Sequence, residues 1–264
     1  MSDAFLLHRE GGVLTITFNR PERLNAFRRR EYGRLHELLG EIERDDMVRV
    51  VVFTGAGRGF CAGEDLKELQ AQGGEETAAA GVRAGAEVLQ DITRRMVQSE
   101  RVFVAAVNGV AAGFGAELSI ACDLRLAGPG ARFLFPEVRR GLFITNGVSL
   151  LLPRIVGTTW ASTLLLTGEA IDALQAERIG LVTEVVEGGG EGLVARAQAC
   201  ATAIAANAPT AVRLTKRILR AALDGSLETI LSTELDYLER CLSSGEHLEG
   251  ARAFVEKRAP RFNA

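Results

Sequence analysis

The 264 residues carry 31 Lys and Arg against 34 Asp and Glu, a net charge of −3, and 47% of them are hydrophobic. A chain of this size and apolar content builds a full core without metal or disulfide support. The balanced charge argues against a nucleic-acid face, which needs a basic surplus. Cys61, Cys122, Cys200 and Cys241 are widely spaced and form no CxxC pair, so a zinc site or disulfide frame is not expected and a reducing, cytoplasmic setting is. The opening MSDAFLLHREGG lacks the basic start and sustained apolar run of a signal peptide. No segment approaches the ~18–20 apolar residues of a membrane span, so no membrane partner is expected.

In chain order, two short strands are predicted at 5–9 and 13–18, joined by the Gly11-Gly12 turn; Val13, Leu14, Ile16 and Phe18 suit a sheet with a buried face. The loop NRPERLNAF leads into a helix over 28–45, where Leu35, Leu38, Leu39 and Ile42 fall at helical spacing. A short apolar strand over 48–54 ends in glycines, and a helix-prone stretch follows over 81–99. Then comes FVAAVNGVAAGFGAELSIACDLRLA, which reads as a strand over 103–107, a small-residue turn and a helix opening near Gly115. A further strand candidate spans 180–186, and after the EGGGEG loop only helices are predicted, over 193–207, 210–223, 227–243 and 248–258. The alternation gives an α/β class with a repeated β/α layout, although no sequence repeat is visible. The stripe Leu227, Ile230, Leu231, Leu235 and Leu238 packs either on the chain's own core or on another subunit.

Three segments carry candidate chemistry. The first, GAGRGFCAGEDL at 55–66, has four glycines after a strand but meets neither GxGxxG, since Phe60 takes the third position, nor a phosphate-loop pattern. It is a tight turn or a place of close backbone approach. In the second, Gly113 and Gly115 leave amides accessible at a helix start, and Glu117 follows in the first turn. That carboxylate complements the helix dipole, or it is used: its neighbours are Ala, Leu and Ser, and a buried carboxylate is costly unless paired. In the third, Pro136 starts a helical turn that holds Glu137, which either pairs with Arg139 or Arg140 or faces Glu117. Two carboxylates beside two exposed amides would let the amides stabilise an enolate oxygen while the acids move protons. His8, His36 and His247 occupy no triad-like setting, no GxSxG elbow is present, and Asp123 suits a cap or a pair with Arg125.

Together, NRPERLNAF, VVFTGAGRGFCAGEDL, VAAVNGVAAGFGAELSIACDLRLA, FPEVRRGL and the terminal ARAFVEKRAPRF resemble the crotonase superfamily of enoyl-CoA hydratases and isomerases, over nearly the whole chain. The resemblance implies a spiral of ββα turns over 1–195 that holds an acyl-CoA site. It also implies a C-terminal helical region over 196–264 that builds a homotrimer or a dimer of trimers. It implies an acyl-CoA thioester as substrate and no separate cofactor. By position, Glu117 and Glu137 match the catalytic glutamates, and the amides of Glu64 and Phe114 match the oxyanion hole. Leu24, Ala26, Ala62, Gly63, Asp65, Leu66, Gly113, Thr145 and Asn146 match regions that contact CoA or substrate. Phe254 and Lys257 match a CoA-contacting region of the same or a neighbouring subunit. Two Glu positions favour enoyl-CoA hydration, with double-bond isomerisation by Glu137, or acyl-CoA binding without catalysis, as alternatives. The chain departs from the pattern where Phe114 replaces a glycine, Glu64 replaces a small residue, and Phe143-Ile144-Thr145-Asn146-Gly147 replaces a Gly-rich run.

Overall fold

The computed structural model describes residues 3–65 and 75–262. Leu66 lies outside the described residues. β1 (Phe5–Glu10) and β2 (Val13–Phe18) form an antiparallel hairpin. The parallel run β2, β3 (Val50–Gly55), β5 (Val102–Val107), β7 (Leu124–Ala127) and β10 (Glu184–Val185) completes a six-stranded sheet. A second sheet is built from much shorter strands: β4 (Gly59–Cys61), β6 (Val110–Ala112), β8 (Arg132–Leu134) and β9 (Ile171–Asp172).

The two sheets are filled in alternation. β3 is followed by β4 and helix α2 (Glu75–Gln98); β5 by β6 and α3 (Phe114–Ala121); β7 by β8, a 3₁₀ turn (Glu137–Arg140) and α4 (Val148–Thr167). Each unit is therefore strand, strand, helix, with the first strand in the large sheet and the second in the small one. The small-residue stretch before α3 contains the strand Val110–Ala112, where a plain turn was expected. Three residues are too few to show a period, and their pairing to β4 and β8 is what makes them a strand.

Alternation along the strands sends side chains to both faces of the large sheet. Ile16, Phe18, Val51, Phe53, Phe103 and Ala105 join the main core with α1 (Arg29–Arg44), α2 and α3. Val13, Val50, Val52, Val104 and Ala106 face α6 (Gly189–Ala205), which contributes Leu193, Ala197 and Ala201. Strands buried on both faces read as unbroken apolar runs, which is why VVVF and VFVAAV carry no polar interruption. The boundary placed at 195 lies inside α6, a helix that covers the sheet.

Beyond α5 (Ala173–Arg178) and α6, the chain ends in α7 (Pro209–Ala221), α8 (Leu227–Ser243) and α9 (Glu246–Val255). Asp123, expected to cap or pair with Arg125, instead pairs with Lys216 and Arg220 of α7, each at 3.0 Å, and accepts from the Phe103 amide. Arg125 donates to the Ser119, Cys122 and Leu181 carbonyl oxygens. Along α8 the apolar stripe is exposed: Leu227, Leu231, Leu235 and Leu238 are 45–70% accessible. Among the described residues, α4 is the one helix long and apolar enough to cross a membrane. Its backbone breaks at Gly157, and its buried residues, Leu151, Leu152, Val156, Ala161 and Leu164, belong to the main core.

Candidate active site

The loop before α1 and the segment after β4 are fastened together by main-chain bonds. Ala62 N–H donates to the Leu24 carbonyl, Phe27 N–H to the Gly63 carbonyl, and Asp65 N–H to the Phe27 carbonyl, at 2.7–3.0 Å. Asn25, buried with φ +58°, donates to the Gly59 and Ala56 carbonyls and so locks the glycine turn that precedes β4. Leu24, Ala26, Ala62, Gly63, Glu64 and Asp65 are thereby brought into one region. Glu64 pairs with Phe27 as an isolated parallel bridge, in which its neighbours Gly63 and Asp65 make the hydrogen bonds. Glu64's own amide therefore points to the opposite side of the segment.

Two glycines explain how this segment meets α3. Gly63 has φ +85°, and a Cβ there would lie 2.6 Å from the Ala112 carbonyl oxygen and 3.4 Å from the Phe114 amide nitrogen. Gly113, the residue capping α3, has φ +50°, and its Cβ would lie 3.0 Å from Glu137 Oε1. At Gly63 the backbone contact leaves no room for a side chain, and at Gly113 the positive φ favours glycine. As a result the start of α3, the Gly63–Glu64 segment and the Glu137 carboxylate share one place. Phe114 opens the helix in ordinary right-handed geometry, because Gly113 takes the unusual conformation. Its ring is buried, 4.8 Å edge-on to Tyr32 and 5.4 Å from Phe27.

Glu117 sits in the first turn of α3 and is 4% exposed. Burial, and then repulsion from Glu137, push its carboxyl up to about 7; hydrogen bonds from the Asn146 side chain and from the Thr145 and Asn146 backbone pull less strongly the other way. Its Oε2 accepts from Asn146 Nδ2. Glu137 is also raised by burial, against smaller effects of its own amide and of Arg140. The expected alternative for Glu137, pairing with Arg139 or Arg140, does not occur: Arg139 donates to the Thr167 carbonyl and pairs with Glu169. Among the described residues, Glu117 Oε1 and Glu137 Oε2 are buried side-chain oxygens without a hydrogen-bond partner. Buried acceptors left unpaired are expensive, and such groups concentrate where a ligand completes them.

Tyr32 was not singled out in the sequence. Its hydroxyl lies within the electrostatic reach of Cys61, Glu64 and Glu117, and burial raises its pKa well above the usual value. The signal was present, because Tyr32 precedes Leu35 by one helical turn on the buried face of α1. Phe254 is 85% exposed and Lys257 is exposed, and among the described residues neither bonds to the Glu117–Glu137 region. A charged hollow of about 420 Å³, lined by Glu43, Asp91, Arg94 and Arg95 among others, shares no residue with that region.

The sequence model of the family described as Enoyl-CoA hydratase/isomerase matches residues 8–264. The chain belongs to this family. It is 37% identical over 262 residues to the 1,2-epoxyphenylacetyl-CoA isomerase of Escherichia coli, covering 99% of each protein. It is 36% identical over 254 residues to the short-chain-enoyl-CoA hydratase of Clostridium acetobutylicum, covering 96% of this chain and 95% of that one. The crystal structure of an enoyl-CoA hydratase from Bacillus anthracis superposes with a TM-score of 0.92 at 34% identity, covering 98% of this chain and 99% of that one. The alternating strand–strand–helix units are thus the crotonase fold of the family. Relatives named for hydration and for isomerisation lie at nearly the same identity, so the likeness carries the family and leaves the reaction to the site.

Proposed function

We propose that the chain is an enoyl-CoA hydratase that adds water reversibly to a 2-enoyl-CoA thioester, using its own side chains and no separate cofactor. The observation that carries this reading is the pair of carboxylates, each with a buried oxygen that has no partner among the described residues, beside the start of α3. The thioester oxygen would sit against the amides of Glu64 and Phe114, where enolate charge develops; one such donor is worth about 2.7–4 kcal/mol in the transition state. Glu137, whose carboxyl is raised by burial, takes a proton from the water as its oxygen adds to the β-carbon and delivers a proton to the α-carbon of the enolate, and dehydration runs the same transfers backward. Glu117 hydrogen-bonds the same water. The exposed apolar residues Val138, Leu142 and Phe143 next to Glu137 suit the rim of an acyl channel.

The second reading is double-bond isomerisation by Glu137 alone. It is favoured by Asn146, which occupies Glu117 Oε2. For either reaction, we infer a cytoplasmic homotrimer or dimer of trimers, with the exposed α8 stripe covered by another subunit and Phe254 and Lys257 serving a neighbour's CoA.

The test is turnover of purified protein on 2-enoyl-CoA and 3-enoyl-CoA thioesters of graded chain length, with products identified by mass. A product 18 Da heavier than a 2-enoyl substrate supports hydration. A product of unchanged mass with a moved double bond supports isomerisation instead, and acyl-CoA binding without any product rejects both.

A further inference from the structure

Asn146 is 2% exposed and lies 29 residues from the carboxylate it contacts. Its orientation is fixed from both ends. Nδ2 is the end that donates to Glu117 Oε2, since a carboxylate oxygen accepts. At the other end, Thr145 Oγ1 donates to Asn146 Oδ1 at 3.5 Å. The backbone on either side is also tied down. Gln90 Nε2 of α2 donates to the Thr145 carbonyl at 3.2 Å, and the Gly147 carbonyl accepts from the Leu150 and Leu151 amides at the start of α4. Asn146 is therefore held between two helices and aimed at one oxygen of Glu117. The other oxygen, Oε1, is buried and has no partner among the described residues.

We propose that Asn146 is a positioning residue: by engaging Oε2 it leaves Oε1 as the single oxygen of Glu117 that meets the reacting group. The identity of that reacting group, water or a substrate carbon, rests on the acyl-thioester reading; the division between the two oxygens does not. With Oε2 engaged, Glu117 makes one directed contact and leaves proton transfer to Glu137.

The donor also stabilises the ionised carboxylate. Among the described residues, the titratable groups that bear on one another here are Glu137 from the turn after β8, which acts on Glu117, and Tyr32 from α1, on which Glu117, Cys61 of β4 and Glu64 act. None of these is a cation, and the charge of Glu117 is supported by the Asn146 side chain together with weaker contributions from the Thr145 and Asn146 backbone, so loss of the side-chain amide leaves it with less support.

The experiment titrates the Glu117 carboxyl stretch by infrared difference spectroscopy, with Glu117→Gln as the assignment control, in the full chain and in Asn146→Ala. The Glu117 midpoint should rise by about one pH unit. If Asn146→Ala does not fold, Asn146→Ser, whose shorter hydroxyl does not span to Oε2, takes its place. An unchanged midpoint in a folded variant overturns the proposal. Where an enoyl thioester is turned over, the variant should lose kcat by about tenfold with KM nearly unchanged, and the Glu117 limb of its pH profile should shift upward in parallel. A shifted midpoint in a protein that turns over no thioester would keep the Asn146 assignment and reject the proposed reaction.

Discussion

Glu31 and Glu117 occupy almost the same local setting and behave in opposite ways. Each stands in the first turn of a helix, and they are 2% and 4% exposed. Burial pushes Glu31 up too, but hydrogen bonds from Arg28, Arg30 and the Arg28 amide outweigh it and hold the carboxyl at about 2. Glu117 faces another carboxylate and only neutral amides, from the Asn146 side chain and the Thr145 and Asn146 backbone, and it rises to about 7. Burial alone therefore does not mark a functional acid. What marks it is burial without a cation, and an oxygen left unpaired. Glu31 is satisfied within the fold, whereas Glu117 and Glu137 each keep one oxygen without a partner among the described residues.

Substitutions at the unsatisfied pair should cost activity and spare stability, while substitution at the satisfied one should do the reverse. The largest effect is expected from Glu137→Gln, which keeps shape but moves no proton: kcat/KM on any thioester turned over should fall by about 10²–10⁴-fold, with no loss of melting temperature. If that variant retained its rate, Glu137 would not be the proton carrier and the comparison would fail at its main point.

Glu117→Gln sharpens the comparison through pH. The folded-state pKa of Glu117 is raised from 4.5 to about 7, so the folded protein binds this proton more tightly than the unfolded chain does. Its ionisation therefore costs nothing below pH ~4.5, begins to cost above it, and is fully charged against the fold above pH ~7; 2.5 units correspond to about 3 kcal/mol. Urea unfolding of wild type and Glu117→Gln should coincide near pH 4.5 and separate by up to that amount at pH 8, with the variant more stable. Equal stability at both pH values would mean that Glu117 titrates normally.

The sequence made one half of this contrast visible and hid the other. FRRREYGRL places arginines on both sides of Glu31, whereas AELSIACDL surrounds Glu117 with apolar and small residues, so the difference in local charge is on the line of the chain. The central strands β3 and β5 of the large sheet were equally legible, because strands buried on both faces leave unbroken apolar runs, and α1 because Leu35, Leu38, Leu39 and Ile42 repeat with the helix, whereas β7, with Arg125 inside it, was not expected as a strand. The three-residue strands of the small sheet were not, since they exist through pairing to distant segments. Asn146 fell on Glu117, and Lys216 on Asp123, through contacts spanning 29 and 93 residues of chain that no local pattern encodes. The resemblance supplied Glu117 and Glu137 as a pair; only the geometry showed that Asn146 divides the oxygens of one of them.

The smallest effect is expected from Glu31→Gln, and its sign is opposite. Here the folded pKa is depressed, from 4.5 to about 2, so the carboxylate contributes stability above pH ~4.5 and loses it as pH falls toward 2. The side chains of Arg28 and Arg30 are 25% and 59% exposed, so water screens much of the attraction. The loss at pH 7, including the capping bond to the Arg28 amide, is put at about 1–2 kcal/mol. Activity should be retained, because Glu31 touches none of the unpaired site oxygens. Urea unfolding at pH 7 and pH 3 measures the first expectation, and thioester turnover the second. A Glu31→Gln protein that kept its stability but lost its rate would place Glu31 with the site acids and end the distinction between a satisfied and an unsatisfied buried glutamate.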